Sequence, residues 1–201
     1  MEPFVTLTAS AVAFDLPNID TDRIVPARFL HHPRAVGFGQ FLFHDLRFDA
    51  DGREIPGFVL NQAHGRAARI LVAADNFACG SSREAAVWAL AGFGIRAVIA
   101  PSFGDIFFEN SFKNGLLTIR LPAADAARLR AAVAAHPGAP VSVDLPAQTV
   151  HGPDGAAFRF EIDGFKKECL LSGQDEIGLT LARADDIAAF EARRRAETPW
   201  L

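Results

Sequence analysis

The chain has 201 residues, of which 50% are hydrophobic and 22% are charged, and its formal net charge is -4. This length suits one domain with a buried core, and this composition excludes an intrinsically disordered protein. The acidic balance, without a basic run among aromatic residues, argues against nucleic-acid binding. The sequence shows no bilayer-length apolar run and no secretory pattern, so we expect a cytoplasmic protein without a membrane segment.

The beginning of the sequence shows little regular periodicity. Residues 5–14 alternate loosely and predict a strand, and residues 15–30 are rich in Pro, Asn and Asp and predict an irregular segment. Residues 31–40, HHPRAVGFGQ, contain a proline and two glycines and predict a mobile loop. For residues 41–48, FLFHDLRF, a short strand and a short helix fit equally well.

The middle of the sequence predicts a parallel βαβ core. Short apolar runs at 69–73, 96–100 and 116–121 predict buried strands. Residues 82–94 place their larger apolar side chains on one helical face and end at a glycine, and residues 103–115 predict a second helix. Strands that alternate with helices imply a parallel sheet.

The remaining sequence predicts helices around a small antiparallel unit. The helical patterns cover residues 123–136, 164–173 and 184–195. The short strand patterns cover residues 141–145, 148–152 and 157–162. Because neither an internal repeat nor a low-complexity linker is visible, we predict a single α/β domain over residues 1–201, with a parallel core and a small antiparallel β appendage.

The stretch CGSSREAAVWAL, residues 79–90, leads from a buried strand into a helix and allows two interpretations. In the first, Ser81 and Glu84 fit an S-x-x-E capping box, which satisfies backbone N–H groups at a helix start. In the second, the turn binds an anion, because ligands bind at the carboxyl ends of parallel strands, where helix N-termini attract negative charge. Arg83, in the first helical turn, opposes the dipole, and a bound carboxylate or phosphate would explain it.

Other chemistry is not supported by the residues. The stretch lacks the G-x-S-x-G elbow of the α/β-hydrolases and the Gly-Lys-Ser/Thr ending of a P-loop. His31 and His32 have no further ligands at metal spacing, so we expect surface residues and no metal site. The two cysteines do not form a disulfide framework; we expect Cys79 to be a small buried packing residue and Cys169 to lie in the core.

Residues 76–90, NFACGSSREAAVWAL, resemble the serine-loop motif of the aconitase family's swivel domain. The resemblance to small subunits of bacterial 3-isopropylmalate dehydratases extends over most of the chain, through NIDTDRIVPARFL, GFGQFLFHDLRF, FVLN, VIAPSFGDIFFENSFKNGLL and DEIGLTL. It implies an aconitase-type swivelling β/β/α domain. It also implies a hydro-lyase that interconverts 2-isopropylmalate and 3-isopropylmalate through 2-isopropylmaleate in leucine biosynthesis.

The resemblance assigns roles to individual residues. Ser81 is the base that takes a proton from a substrate carbon, and Ser82 and Arg83 hold substrate carboxylate. Asp22, in the DTD segment, reaches the active site and hydrogen-bonds a histidine of the other domain, although it could instead be a turn-forming residue. Arg34 lies in a loop that approaches the variable side chain of the substrate, although it could be a solvated loop charge.

We further expect the loop at residues 31–40 to close over the substrate when the partner is bound. Its glycines can absorb the backbone change of a closing lid. Its apolar members Ala35, Val36 and Phe38 would suit an isopropyl group.

The family's reaction uses a [4Fe–4S] cluster, which needs about three protein thiolates. This chain has two cysteines, so the resemblance implies that the cluster belongs to the 3-isopropylmalate dehydratase large subunit and that the chain acts only with this partner, as a heterodimer or heterotetramer. Ala78, Ala85 and Val87 depart from the usual Gly, His and Pro. They leave open a related hydro-lyase acting on citraconate, a methylmalate or homoaconitate, and a non-catalytic swivel interaction module is a further alternative.

Overall fold

The computed structural model describes residues 1–81, 83–198 and 200, and at its centre is a seven-stranded sheet. The strands are Thr6–Phe14 (β1), Ile70–Ala73 (β2), Ala97–Ala100 (β3), Leu117–Arg120 (β4), Pro140–Asp144 (β5), Thr149–His151 (β6) and Ala157–Arg159 (β7). Their order across the sheet is β4-β3-β2-β1-β5-β6-β7.

Strand β1 joins a parallel half of the sheet to an antiparallel half. Its residues 11–14 pair in parallel with β2, whereas its residues 6–10 pair in antiparallel orientation with β5. Strands β2, β3 and β4 continue the parallel half, and β5, β6 and β7 form an antiparallel meander. The predicted α/β fold with a parallel core and an antiparallel appendage is confirmed, and the two parts share one continuous sheet.

The helices surround this sheet. Their bounds are Thr21–Ile24 (α1), His44–Arg47 (α2), Ala63–Arg66 (α3), Glu84–Phe93 (α4), Asp105–Lys113 (α5), Ala123–Ala135 (α6), Gly164–Ser172 (α7), Glu176–Leu181 (α8) and Ala184–Glu197 (α9). Short 3-10 turns lie at Ala27–Phe29, Arg34–Val36, Phe38–Phe41 and Val59–Asn61. The ambiguous stretch at residues 41–48 is therefore helical, because it contains α2.

Apolar layers lie on both faces of the sheet. Successive strand residues point to opposite faces, so Leu71 and Val98 pack with α4 and the segment after β1, whereas Ile70 and Ile99 pack with α6 and α7. Helix α4 ends at Phe93, and the following Gly94, with a φ of 108°, is the left-handed stop that the sequence predicts. This packing fixes the start of α4 at the carboxyl ends of the parallel strands.

The C-terminal helix α9 contributes no buried residue to either layer. In the part of the chain that the structure describes, no helix is both long and apolar enough to cross a membrane.

Candidate functional site

The segments that follow β1, β2 and β3 lie side by side at the carboxyl ends of these strands. After β1, Asp20 forms a parallel bridge with Cys79, and the Thr21 N–H donates to the Cys79 carbonyl at 3.0 Å. After β3, Phe103 forms a parallel bridge with Phe77. These bonds extend the pairing of the sheet beyond its strands, so the loop after β2 is held between two neighbours.

The loop after β2 turns sharply before α4 begins. Ala78 and Gly80 have φ angles of 57° and 90°, and the Thr21 hydroxyl donates to the Ser81 carbonyl at 3.1 Å. The Ser81 side chain is exposed, and its hydroxyl makes no hydrogen bond within the described part of the chain. Ser81 is therefore available to a ligand from outside, whereas Ser82, the next predicted site residue, lies outside the described residues.

The predicted capping box is wrong. Helix α4 begins at Glu84, and its N-cap is Arg83, whose φ of -136° is extended and whose side chain makes no cap hydrogen bond. Ser81 thus precedes the N-cap by two residues, and Glu84 instead accepts a hydrogen bond from Asn114 Nδ2 at 2.9 Å. Arg83 likewise precedes the first turn. The N–H groups at the start of α4 consequently have no side-chain cap from this motif.

Arg83 and Asp22 form an ion pair across 61 positions of sequence. The Arg83 side chain is 18% exposed and the Asp22 side chain is 55% exposed. The hydrogen bond from Arg83 lowers the pKa of Asp22 below its usual value, against the opposing effect of desolvation. The structure therefore brings Asp22, Ser81 and Arg83 to one outward-facing surface, through the pairing of their two segments.

Arg34 lies in the loop at residues 31–40 and contacts α4 at Trp88, away from the start of that helix. Its guanidinium donates to Asn114 Oδ1 at 3.2 Å and stacks on the Trp88 ring at 4.9 Å. Sequence reasoning missed both Trp88 and Asn114 as partners. Asn114 followed by glycine was visible only as a helix end, and Trp88 only as part of an apolar helix.

The loop at residues 31–40 has an exposed part and a buried part. Val36 is 47% exposed, whereas Phe38 is 2% exposed and its ring lies edge-on to Trp88 with 5.5 Å between centroids. The expectation that Phe38 lines a substrate pocket is therefore wrong, because its ring belongs to the core. Val36 remains free to contact a ligand.

The cysteines and histidines do not form a metal centre. The rings of His31 and His32 lie 4.3 Å apart at a tilt of 32°, and no described group of three or more His, Cys, Asp or Glu could hold a metal ion. Cys169 is fully buried in the core, as predicted, whereas Cys79 is partly exposed rather than buried. Two cysteines in such different places do not fit a [4Fe–4S] cluster.

The positions that depart from the family motif point away from the site. Ala85 and Val87 belong to α4. Ala85 is 7% exposed and Val87 is fully buried, and both side chains pack in the core. Ala78 adopts a left-handed backbone, which favours the glycine usual at this position. These differences therefore change the support of the loop rather than the groups at its surface.

Three family models match the chain. The model described as the aconitase C-terminal domain matches residues 1–124. The model LeuD, described as LeuD_N, matches residues 127–164, and a model of the C-terminal domain of the 3-isopropylmalate dehydratase small subunit matches residues 176–201.

Curated relatives are similar over the whole chain. A 3-isopropylmalate dehydratase small subunit from Paramagnetospirillum magneticum is 52% identical over 201 residues and covers 100% of both chains. One from Rhodospirillum centenum is 53% identical over 200 residues, which are 100% of this chain and 98% of the relative. The crystal structure of 3-isopropylmalate dehydratase from Methanocaldococcus jannaschii superposes with a TM-score of 0.67 at 24% identity, covering 92% of this chain and 99% of that one, and supports the fold.

Proposed function

Because this chain belongs to the 3-isopropylmalate dehydratase small-subunit family, we propose that Ser81, Ser82, Arg83 and Asp22 are its contribution to a shared active site. As the small subunit of this hydro-lyase, the chain takes part in the interconversion of 2-isopropylmalate and 3-isopropylmalate in leucine biosynthesis. The related hydro-lyases and the non-catalytic module are not favoured, since the curated relatives above are dehydratase small subunits over their full length.

Ser81 is the proposed base. Dehydration requires that a carbon–hydrogen bond breaks as the hydroxyl group leaves as water, and rehydration returns the proton. The Ser81 oxygen would take this proton from one carbon and deliver it to the neighbouring carbon on rehydration, while the departing hydroxyl would need a second proton from a donor on the partner's side of the site. An alkoxide needs strong electrostatic help, which the start of α4, where Arg83 makes no side-chain cap hydrogen bond, and the nearby Arg83 guanidinium supply with the correct sign.

Arg83 is the proposed carboxylate-binding residue, and Asp22 is the partner that it would give up. A guanidinium that is mostly buried and paired with an exposed carboxylate can exchange that partner for a substrate carboxylate of the same charge and shape. Asp22 would then be released toward the partner subunit. Ser82 would add a hydroxyl beside the same carboxylate, and Arg34 would contact the substrate from the loop that precedes Phe38.

The large subunit is the proposed holder of the [4Fe–4S] cluster. The outward-facing positions of Ser81 and Asp22 support a site that a second chain completes. The proposed assembly contains one or two pairs of large and small subunits. We also propose that residues 31–33, which precede Arg34 on the Trp88 ring, move when the partner and substrate bind.

The observation that carries the proposal is the exposed Ser81 beside the Arg83–Asp22 pair. The test is anaerobic reconstitution with the large subunit, followed by assay of 2-isopropylmalate and 3-isopropylmalate interconversion. Ser81→Ala should lower turnover by at least about 100-fold, as expected for loss of a general base, while the complex still forms. Ser172→Ala, which removes an exposed hydroxyl at the end of α7, is the matched control. Near-normal turnover by Ser81→Ala would contradict the proposed role.

A further inference from the structure

Arg34 is held at two points on the surface of the protein. Its guanidinium carbon lies 4.9 Å from the centre of the Trp88 ring, and its Nη2 donates to Asn114 Oδ1 at 3.2 Å. A planar guanidinium suits both contacts, since it stacks on an aromatic face and still directs N–H groups sideways. Trp88 Nε1 is buried without an acceptor in the described residues, and it is the ring face of the indole that lies against Arg34.

Asn114 connects Arg34 to the beginning of α4. While its Oδ1 accepts from Arg34, its Nδ2 donates to Glu84 Oε1 at 2.9 Å. An amide can satisfy both partners at once, whereas a carboxylate cannot donate and an ammonium group cannot accept. Because Glu84 directly follows Arg83, the amide fixes Arg34 relative to the proposed carboxylate-binding residue.

The other end of the same loop is fixed to α4 as well. The Phe38 ring lies edge-on to Trp88, and a Cβ atom at Gly39 would fall 2.4 Å from the carbonyl carbon of Gly92. Gly37, in contrast, has a φ of 84°, and a Cβ atom there would have no neighbour within 4 Å. The exposed turn between Arg34 and Phe38 is therefore anchored at both of its ends.

We propose that Trp88 and Asn114 are positioning residues that hold Arg34, and with it the turn at residues 34–37, in the orientation that receives the substrate. Neither residue touches the substrate in this arrangement. They act through Arg34, whose long side chain would otherwise lose conformational entropy when it binds a carboxylate. The effect on substrate rests on the function proposed above, whereas the docking of Arg34 does not.

Fluorescence of the isolated chain tests the docking itself. The chain has two tryptophans, and Trp200→Phe leaves Trp88 as the single emitter. In this background, Arg34→Ala and Asn114→Ala should each shift the Trp88 emission, because each removes or releases the cation on its ring. Arg193→Ala, which removes a guanidinium 5.6 Å from the Phe190 ring on α9, should leave the emission unchanged. An unchanged emission in Arg34→Ala would overturn the docking.

Kinetics of the complex with the large subunit test the positioning. Arg34→Ala should raise KM for 3-isopropylmalate by about tenfold or more, and Asn114→Ala should raise it by about threefold or more with little change in kcat. In the Arg34→Ala background, Asn114→Ala should have no further effect on KM. If the two effects multiply independently, Asn114 has only a structural role and the proposal is wrong.

A second variant covers the case in which Asn114→Ala folds poorly, since Asn114 also donates to the Asn110 carbonyl at the end of α5. Asn114→Asp keeps the size and the acceptor for Arg34 but places a carboxylate against Glu84. It should raise KM less than Arg34→Ala does, and an equal or larger increase would count against the acceptor role. A wild-type pair that does not convert 3-isopropylmalate would contradict the proposed function, and the fluorescence result would still decide the docking.

Discussion

Arg83 and Asp22 differ in how freely each can leave their ion pair. Arg83 is mostly buried and is held at the N-cap of α4, whereas Asp22 is exposed and can turn into solvent. An incoming carboxylate would therefore replace Asp22 without moving Arg83. The geometry of the guanidinium fork, rather than its charge alone, decides how well this replacement works.

Arg83→Lys should raise KM for 3-isopropylmalate by about tenfold or more and lower kcat less, because an ammonium group cannot bind a carboxylate through two parallel hydrogen bonds. Steady-state kinetics of the reconstituted pair measure this. Arg96→Lys is a matched control, since Arg96 is 23% exposed and pairs with the exposed Glu2. Equal effects of the two substitutions would argue against a binding role for Arg83.

Asp22 also makes stability depend on pH in a defined direction. Since its folded-state pKa is lowered, its contribution is fully present above the unfolded pKa, which is about 3.9, and is lost as pH falls through the folded value. Asp22→Asn should therefore lower the unfolding free energy at pH 7, by less than about 1 kcal/mol for so exposed a pair. The difference from wild type should disappear in acid. Urea unfolding at pH 7 and in acid measures the difference in unfolding free energy. A difference that grows in acid would contradict the stabilising effect of the Asp22 charge.

Asp45 provides a comparison for the same measurement. Its pKa is lowered by the hydrogen bond from Arg28, again against desolvation, and it lies outside the proposed site. Asp45→Asn should show the same direction of pH dependence and leave turnover unchanged, whereas Asp22→Asn should reduce turnover as well.

At the level of the elements, the close approach of α5 to the loop after β2 supports the site. Gly104 is the N-cap of α5, and its N–H donates to the Phe77 carbonyl at 2.9 Å. A Cβ atom at this position would lie 2.3 Å from the Ala78 carbonyl oxygen. Only glycine lets the two backbones pass at this distance.

Gly104→Ala should therefore destabilise the protein by about 1–3 kcal/mol, because the backbone that leads to Ser81 must shift. Thermal or denaturant unfolding measures the loss. Gly164→Ala, at the first residue of α7 and with no atom within 4 Å of the added Cβ, should be neutral or slightly stabilising. Similar losses in both variants would contradict this explanation.

The sequence predicts the helices and strands better than it predicts which of them pack or pair with each other. The periodicity at residues 69–73 and 82–94 is a local property, so β2 and α4 could be found. Alternation in β1 reveals which side chains face a layer but not that one half of the strand pairs with β2 and the other half with β5.

The same limit applies to the site. The S-x-x-E pattern shows neither where helical backbone begins nor that Arg83 is extended, so it predicts the capping box at the wrong place. The pairing of Asp22 with Arg83 spans 61 positions, and only the family resemblance indicates that both belong to one site. The bridge from Arg34 through Asn114 to Glu84 has no local pattern that could predict it.

For the whole molecule, the positions of the cysteines are incompatible with a cluster bound by this chain. Cys169 lies in α7 at 0% exposure and packs in the apolar layer against the sheet, and Cys79 lies in the loop after β2. To bring Cys169 to that loop, the apolar layer beneath α7 would have to open. Even then the chain would supply fewer thiolates than the roughly three that a [4Fe–4S] cluster needs.

We therefore expect the purified chain, after anaerobic incubation with iron and sulfide, to show neither stoichiometric iron nor hydro-lyase activity. The same preparation should gain both when the large subunit is added, because that subunit would bring the cluster and the exposed Ser81 and Asp22 would then face it. Visible absorbance, iron and sulfide assays and turnover measure this before and after mixing. Cys79→Ser is an informative control, since it should leave the cluster content of the complex unchanged if all cluster ligands belong to the large subunit. A cluster on the isolated chain, or its loss from the complex of Cys79→Ser, would show that this chain takes part in holding it.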